Sequence, residues 1–87
     1  MKKMQTSTGF KFKVDEGVLD DMELLDAISE LEDNPLRITR VVTLLLGEKQ
    51  KKALYDHVRN DNGRVPAEAL SKEIVEIFNL LQDDLKK

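Results

Sequence analysis

Phe10, Phe12 and Val14 alternate with Lys11 and Lys13, a period-two pattern that puts the three apolar side chains on one face of a strand over 10–14. No second strand is legible beside it, and residues 1–9 read as a flexible tail. A lone strand leaves backbone donors and acceptors unpaired. It must therefore pair with a copy in another subunit, with a cryptic neighbour or with a partner's chain, unless it too is part of the tail. From there on the pattern turns helical. Met22, Leu25, Ile28 and Leu31 recur in three-residue steps, widened by Leu24, and predict an amphipathic helix over 19–33 whose Asp26, Glu30 and Glu32 face water. Asp20 or Asp21 is placed to cap it, with Glu23 positioned to reach back to the helix start.

Asn34-Pro35 restarts the chain, because Asn caps and Pro suits a first helical turn, and Gly47 stops the second helix, predicted over 35–46. Leu36, Ile38, Val41, Val42, Leu44, Leu45 and Leu46 cover most of its circumference and leave Arg37, Thr39, Arg40 and Thr43 as a polar side. Its β-branched residues make a strand the competing reading, which the capped start and the glycine stop oppose. A third helix over 48–60 turns Leu54 and Val58 inward, with Tyr55 at its edge, and ends at Asp61-Asn62-Gly63. Val65-Pro66 opens a fourth over 66–85, striped by Leu70, Ile74, Ile77, Phe78, Leu81 and Leu85. The expectation is one mainly α domain, a compact bundle of about four helices with a short N-terminal β-strand for which pairing between subunits is one of the open options.

Composition narrows what such a domain does. An 87-residue chain with 40% hydrophobic and 36% charged residues builds only a modest core. It has no cysteine for a disulfide or thiolate metal site, which suits a reducing cytoplasm. The start of the chain lacks the apolar run of a signal peptide, and the longest apolar stretch, Val41 to Leu46 around Thr43, is too short to span a bilayer. Charge is uneven: residues 37–64 carry seven basic against three acidic groups, whereas residues 1–36 carry four against nine. Acidic and basic faces that meet within the domain or between identical subunits account for this distribution.

No constellation for catalysis or metal binding stands out. His57 is the sole histidine and has no cysteine or second histidine with which to complete a metal set. Ser7, Ser29 and Ser71 sit in no nucleophile context, and the carboxylates belong to solvated helix faces. Asn60-Asp61-Asn62-Gly63-Arg64-Val65 has the centre of a calcium loop, but Val58 and Ala69 would occupy positions where carboxylate ligands are required. Gly47 followed by Lys49-Gln50-Lys51-Lys52 has the outline of a helix-turn-helix, yet the domain is acidic and Gln50 is nearly alone as a base reader. Neither a cofactor nor nucleic acid is the expected partner.

Phe10-Lys11-Phe12-Lys13-Val14, Asp20-Asp21-Met22-Glu23-Leu24-Leu25, Asn34-Pro35-Leu36, Leu44-Leu45-Leu46-Gly47-Glu48 and Asp61-Asn62-Gly63-Arg64-Val65-Pro66 follow one another in an order that resembles the tail assembly chaperones of long, non-contractile-tailed phages and prophages. The resemblance covers roughly residues 10 to 80. It implies a helical protein of the host cytoplasm that self-associates and coats the helical tape-measure protein until tail-tube subunits displace it, often with a frameshift-extended form beside it. The other classes left open are a small DNA-binding regulator and a structural component of the virion or head-tail joint. On the chaperone reading, Phe10, Phe12 and Val14 are the candidate self-association residues. Arg37, Arg40, Lys49, Lys51 and Lys52 are the candidate contacts with a partner or a second copy.

Overall fold

The computed structural model describes residues 2–15 and 17–85, with the side chains of residues 32, 84 and 85 outside it. Two short strands, β1 (Lys2–Gln5) and β2 (Lys11–Val14), precede helices α1 (Met22–Asp33), α2 (Ile38–Val58) and α3 (Ala67–Leu85), and a 3₁₀ turn over Pro35–Arg37 separates α1 from α2.

The expected tail is a strand. β1 runs antiparallel to β2, pairing Lys2 with Val14, Lys3 with Lys13, Met4 with Phe12 and Gln5 with Lys11. The partner sought for the 10–14 strand is thus the chain's own start, and the need for another subunit to complete the ladder falls away. The turn makes this possible. Thr6 N–H donates to Phe10 O at 2.9 Å and Gly9 N–H to Thr6 O at 3.0 Å, while Gly9 takes φ 96°, so Ser7-Thr8-Gly9 forms a tight loop with a left-handed third residue.

α1 begins where Asp21 accepts from Glu23 N–H at 2.9 Å, which settles the capping choice on Asp21. Asn34 accepts from Leu36 N–H at 3.1 Å and starts the 3₁₀ turn. Three helices form among the described residues, α2 taking in both segments expected at 35–46 and 48–60, which meet across a break at Gly47. Gly47 still marks the junction: its φ 81° and ψ 163° are non-helical and kink α2, in a backbone region that is essentially glycine's own. Asn60 closes the turn before α3, its side chain accepting from Asn62 N–H at 3.0 Å and Arg64 N–H at 3.1 Å.

The core lies between the inner face of the hairpin and the three helices. Phe10, Phe12, Val14, Leu24, Ala27, Val41, Val42, Leu45, Leu46, Leu54, Leu70, Ile74, Ile77 and Leu81 are buried together. The stripe expected on the first helix is rotated: Leu24, Ala27, Ile28 and Leu31 face inward, whereas Met22 and Leu25 are 67% and 45% exposed. A 3.6-residue period cannot keep Met22, Leu25, Ile28 and Leu31 on one line, and packing chose the side that includes Ala27. Leu36, expected among the apolar positions of the second helix, is 81% exposed on the 3₁₀ turn. The expectations for the side chains of Leu85 and Glu32 fall outside the described residues. No helix of the described chain is long and apolar enough to cross a membrane.

Candidate functional site

Two features draw polar chemistry together, and the hairpin takes part in both. At its tip, Thr6 and Thr8 hydroxyls donate to Glu73 Oε1 of α3 at 3.0 and 2.7 Å, and the Ser7 hydroxyl donates to Glu76 Oε1 at 2.8 Å. Ser7 N–H also donates to Glu76 Oε2. Glu73 and Thr6 are both buried, and the Thr6 oxygen additionally accepts from Phe10 N–H at 3.2 Å. The Thr8 oxygen, with its proton given to Glu73, accepts from His57 Nε2 at 3.0 Å.

A hydroxyl, an imidazole and a carboxylate therefore meet, but not as a nucleophile and base. In a triad the carboxylate holds the nitrogen remote from the hydroxyl. Here Glu73 Oε1 lies 4.0 Å from the same Nε2 that contacts Thr8, and it accepts the hydroxyl's hydrogen bond itself. The cluster is a clasp that fastens the hairpin tip to α3. No group of three His, Cys, Asp or Glu side chains able to hold a metal occurs among the described residues.

The second feature is an open groove of about 750 Å³ between the hairpin strands and the second half of α2. Strand alternation puts Lys3, Gln5, Lys11 and Lys13 on the face opposite Phe12 and Val14, and Lys49 of α2 adds a fourth lysine to the rim. Met4, Phe12 and Ala53 line it with apolar atoms, and no acidic residue among those described lines it. Its lining thus combines four lysines with apolar atoms of Met4, Phe12 and Ala53.

Gln50 closes one end of the strand edge beside this groove. In an antiparallel pair the backbone groups point alternately inward and outward, and the Thr6–Phe10 bond sets the phase so that Lys13 points outward. Gln50 Oε1 accepts from Lys13 N–H at 2.6 Å, and its Nε2 donates to Lys13 O at 2.7 Å and to Leu46 O at 2.9 Å beside the kink. A side-chain amide thus takes the place of a neighbouring strand. Gln50→Ala should lower stability by about 1–2 kcal/mol and speed amide exchange at Lys13 well beyond that at Phe12, whose backbone bonds to β1. Unchanged exchange at Lys13 would show that the clamp does not hold in solution.

The candidate residues from the sequence divide. Phe10, Phe12 and Val14 are core residues, 5%, 3% and 1% exposed, and of the three only Phe12 also reaches the groove lining. Of the five basic candidates only Lys49 lines the groove. Arg40 faces α1 and pairs with Glu30 at 3.4 Å. Lys51 Nζ donates to Thr43 Oγ1 at 3.1 Å across the kink and lies 5.8 Å from the centre of the Tyr55 ring. Arg37 and Lys52 are exposed outside the groove lining. Sequence reasoning missed Lys3, Lys11 and Lys13 as site residues. The alternation from Phe10 to Val14 already placed Lys11 and Lys13 on one face, and attention to the apolar face passed over them.

No protein-family model matches the chain, and no curated protein or solved structure is significantly similar to it. What the fold and groove define is a small, mainly helical protein with a two-stranded N-terminal sheet and a lysine-rimmed groove.

Proposed function

We propose that the protein is a non-catalytic binding protein that holds acidic, partly apolar segments of other polypeptides in the lysine groove. Within that class, the proposed role is a tail assembly chaperone of a long, non-contractile-tailed phage or prophage. It would work in the bacterial host's cytoplasm and keep the tape-measure protein soluble until the tail tube forms around it. The groove is the observation that carries the reading: four lysines, an apolar lining and, among the described residues, no acidic one suit a peptide surface better than a small substrate. Exposed Met22, Leu36 and Val75 offer further apolar contact to a long client.

The regulator reading has less support, since the amide of Gln50 is spent on Lys13 and Leu46 and is not presented to a base. Co-expression with the tape-measure protein of the same genome tests the proposal. The two should purify together, and Lys11→Glu with Lys49→Glu should abolish the association. Failure of the wild type to co-purify would remove the chaperone role. A salt-sensitive shift of duplex DNA that the same double variant abolishes would put the regulator in its place, and presence in finished particles would favour a structural component.

A further inference from the structure

We infer that the outer edge of β1 takes up an extended, acidic segment of a partner polypeptide as a third strand of the sheet, antiparallel to β1. Such a strand lies along the groove, whose lining includes Lys3, Met4 and Gln5, so the assignment rests on the groove being a protein-binding site.

The sheet has one free edge. β1 and β2 are its only strands among the described residues. The Thr6–Phe10 bond sets the phase of the ladder: Met4 bonds to Phe12, while the backbone groups of Lys3 and Gln5 point away from β2 and those of Lys11 and Lys13 away from β1. On the β2 side, α2 packs against the strand and Gln50 holds both backbone groups of Lys13. On the β1 side, neither Lys3 nor Gln5 has a backbone partner among the described residues, and both are exposed. Two donors and two acceptors spread over about 7 Å are what an added strand uses. A helical segment has nothing to offer them, because its own N–H and C=O groups are spent along the helix.

The side chains choose the occupant. Lys3 and Gln5 share the outer face with Lys13 and Lys11 opposite them, whereas Met4 lies on the inner face beside Phe12 and is only partly buried. Residues of an added strand next to Lys3 and Gln5 therefore meet a lysine-rich face, and the residue between them meets Met4 at the margin of the core. Carboxylates at alternate positions around an apolar residue satisfy both. A second copy of β1 is a poor occupant, since it would join the lysines of two outer faces on one continuous sheet surface. Edge lysines guard against that pairing, and an acidic strand turns the same charges into attraction.

A blocked heptapeptide of alternating glutamate and valine, with glutamate at both ends, is the probe, and NMR titration of the full chain with amide exchange is the measurement. The peptide should bind and, at saturation, slow exchange at Lys3 and Gln5 by about tenfold or more, with no comparable change at Met4, whose N–H already bonds to β2. N-methyl groups on the glutamates remove the donors that face β1 and should abolish binding. N-methyl groups on the valines point away and should leave affinity within about twofold. Gln5→Pro removes one outward N–H without altering charge or the bonds to β2, and should weaken binding by about tenfold or more, whereas Gln5→Ala should bind like wild type. Thermal melts check that Gln5→Pro stays folded, and the N-methylated peptides probe the same edge on the unaltered chain.

Equal binding of the two N-methylated peptides, or of the two Gln5 variants, overturns the inference, as does a wild type that binds no peptide. So does a wild type whose Lys3 and Gln5 amides are protected without peptide while its sedimentation coefficient rises with concentration, because a second copy then holds the edge. If the N-methylated peptides bind alike and Lys11→Glu with Lys49→Glu abolishes both, the groove holds acidic segments without strand addition and the functional proposal survives. If the peptide adds as a strand but the tape-measure protein does not co-purify, the chaperone role fails and the β1 edge stands as a binding site.

Discussion

Phe12→Ala should cost about 3–5 kcal/mol, the usual consequence of removing a buried phenylalanine. Phe12 is 3% exposed, lies opposite Met4 in the hairpin, and stacks on Phe10 with ring centres 5.9 Å apart and planes 11° from parallel. Phe10 in turn lies 5.5 Å from His57, so the aromatic pair links the sheet to the end of α2. A chain of 87 residues is stable by only about 4–13 kcal/mol, and the loss should lower the melting temperature by at least about 12 °C. Lys11→Ala, one position away on the exposed face, should change stability by no more than about 0.5 kcal/mol. If Phe12→Ala and Lys11→Ala melt alike, the hairpin is an appendage and not a wall of the core.

That contrast also shows how far the sequence could be read. The alternation from Phe10 to Val14 identified the strand and its inner face, because one period of two fixes both. β1 escaped notice because Lys2-Lys3-Met4-Gln5 contains a single apolar residue and shows no alternation. The usable signal was the turn: Thr6-Ser7-Thr8-Gly9 puts a glycine where a three-residue loop needs a left-handed residue. Asn34-Pro35, Gly47 and Asp61-Asn62-Gly63 marked real changes of direction, since caps and glycine act locally. Whether Gly47 ends a helix or kinks one depends on packing at both its sides, which local pattern does not contain.

The sites were harder to read than the elements. Glu73 occupies the buried stripe of α3, where a carboxylate is expected to avoid the core, and it is tolerated because Thr6 and Thr8 bring hydroxyl donors from the far end of the chain. The lysine groove likewise joins Lys3, Lys11 and Lys13 to Lys49 only once the strands pair and settle against α2. In the sequence those charges are split between an acidic first part and a basic middle, so counting charge by segment assigned them to different faces.

Ile77→Ala should cost about 2–5 kcal/mol, and Phe78→Ala less than its size suggests. Ile77 is 0% exposed among Leu70, Ile74 and Leu81, whereas Phe78, the next residue, is only partly buried at the border of that stripe. The price of a truncation follows the contacts it empties, so the larger side chain should be the less costly one to shorten. The comparison also separates core from docking face. On the arrangement described, Ile77→Ala lowers the melting temperature while the folded fraction keeps full affinity for client, because the groove lies on the hairpin and α2. If Ile77→Ala instead melts like wild type and loses the client, the α3 stripe is the docking surface, and the lysine groove has been given a role that belongs to α3.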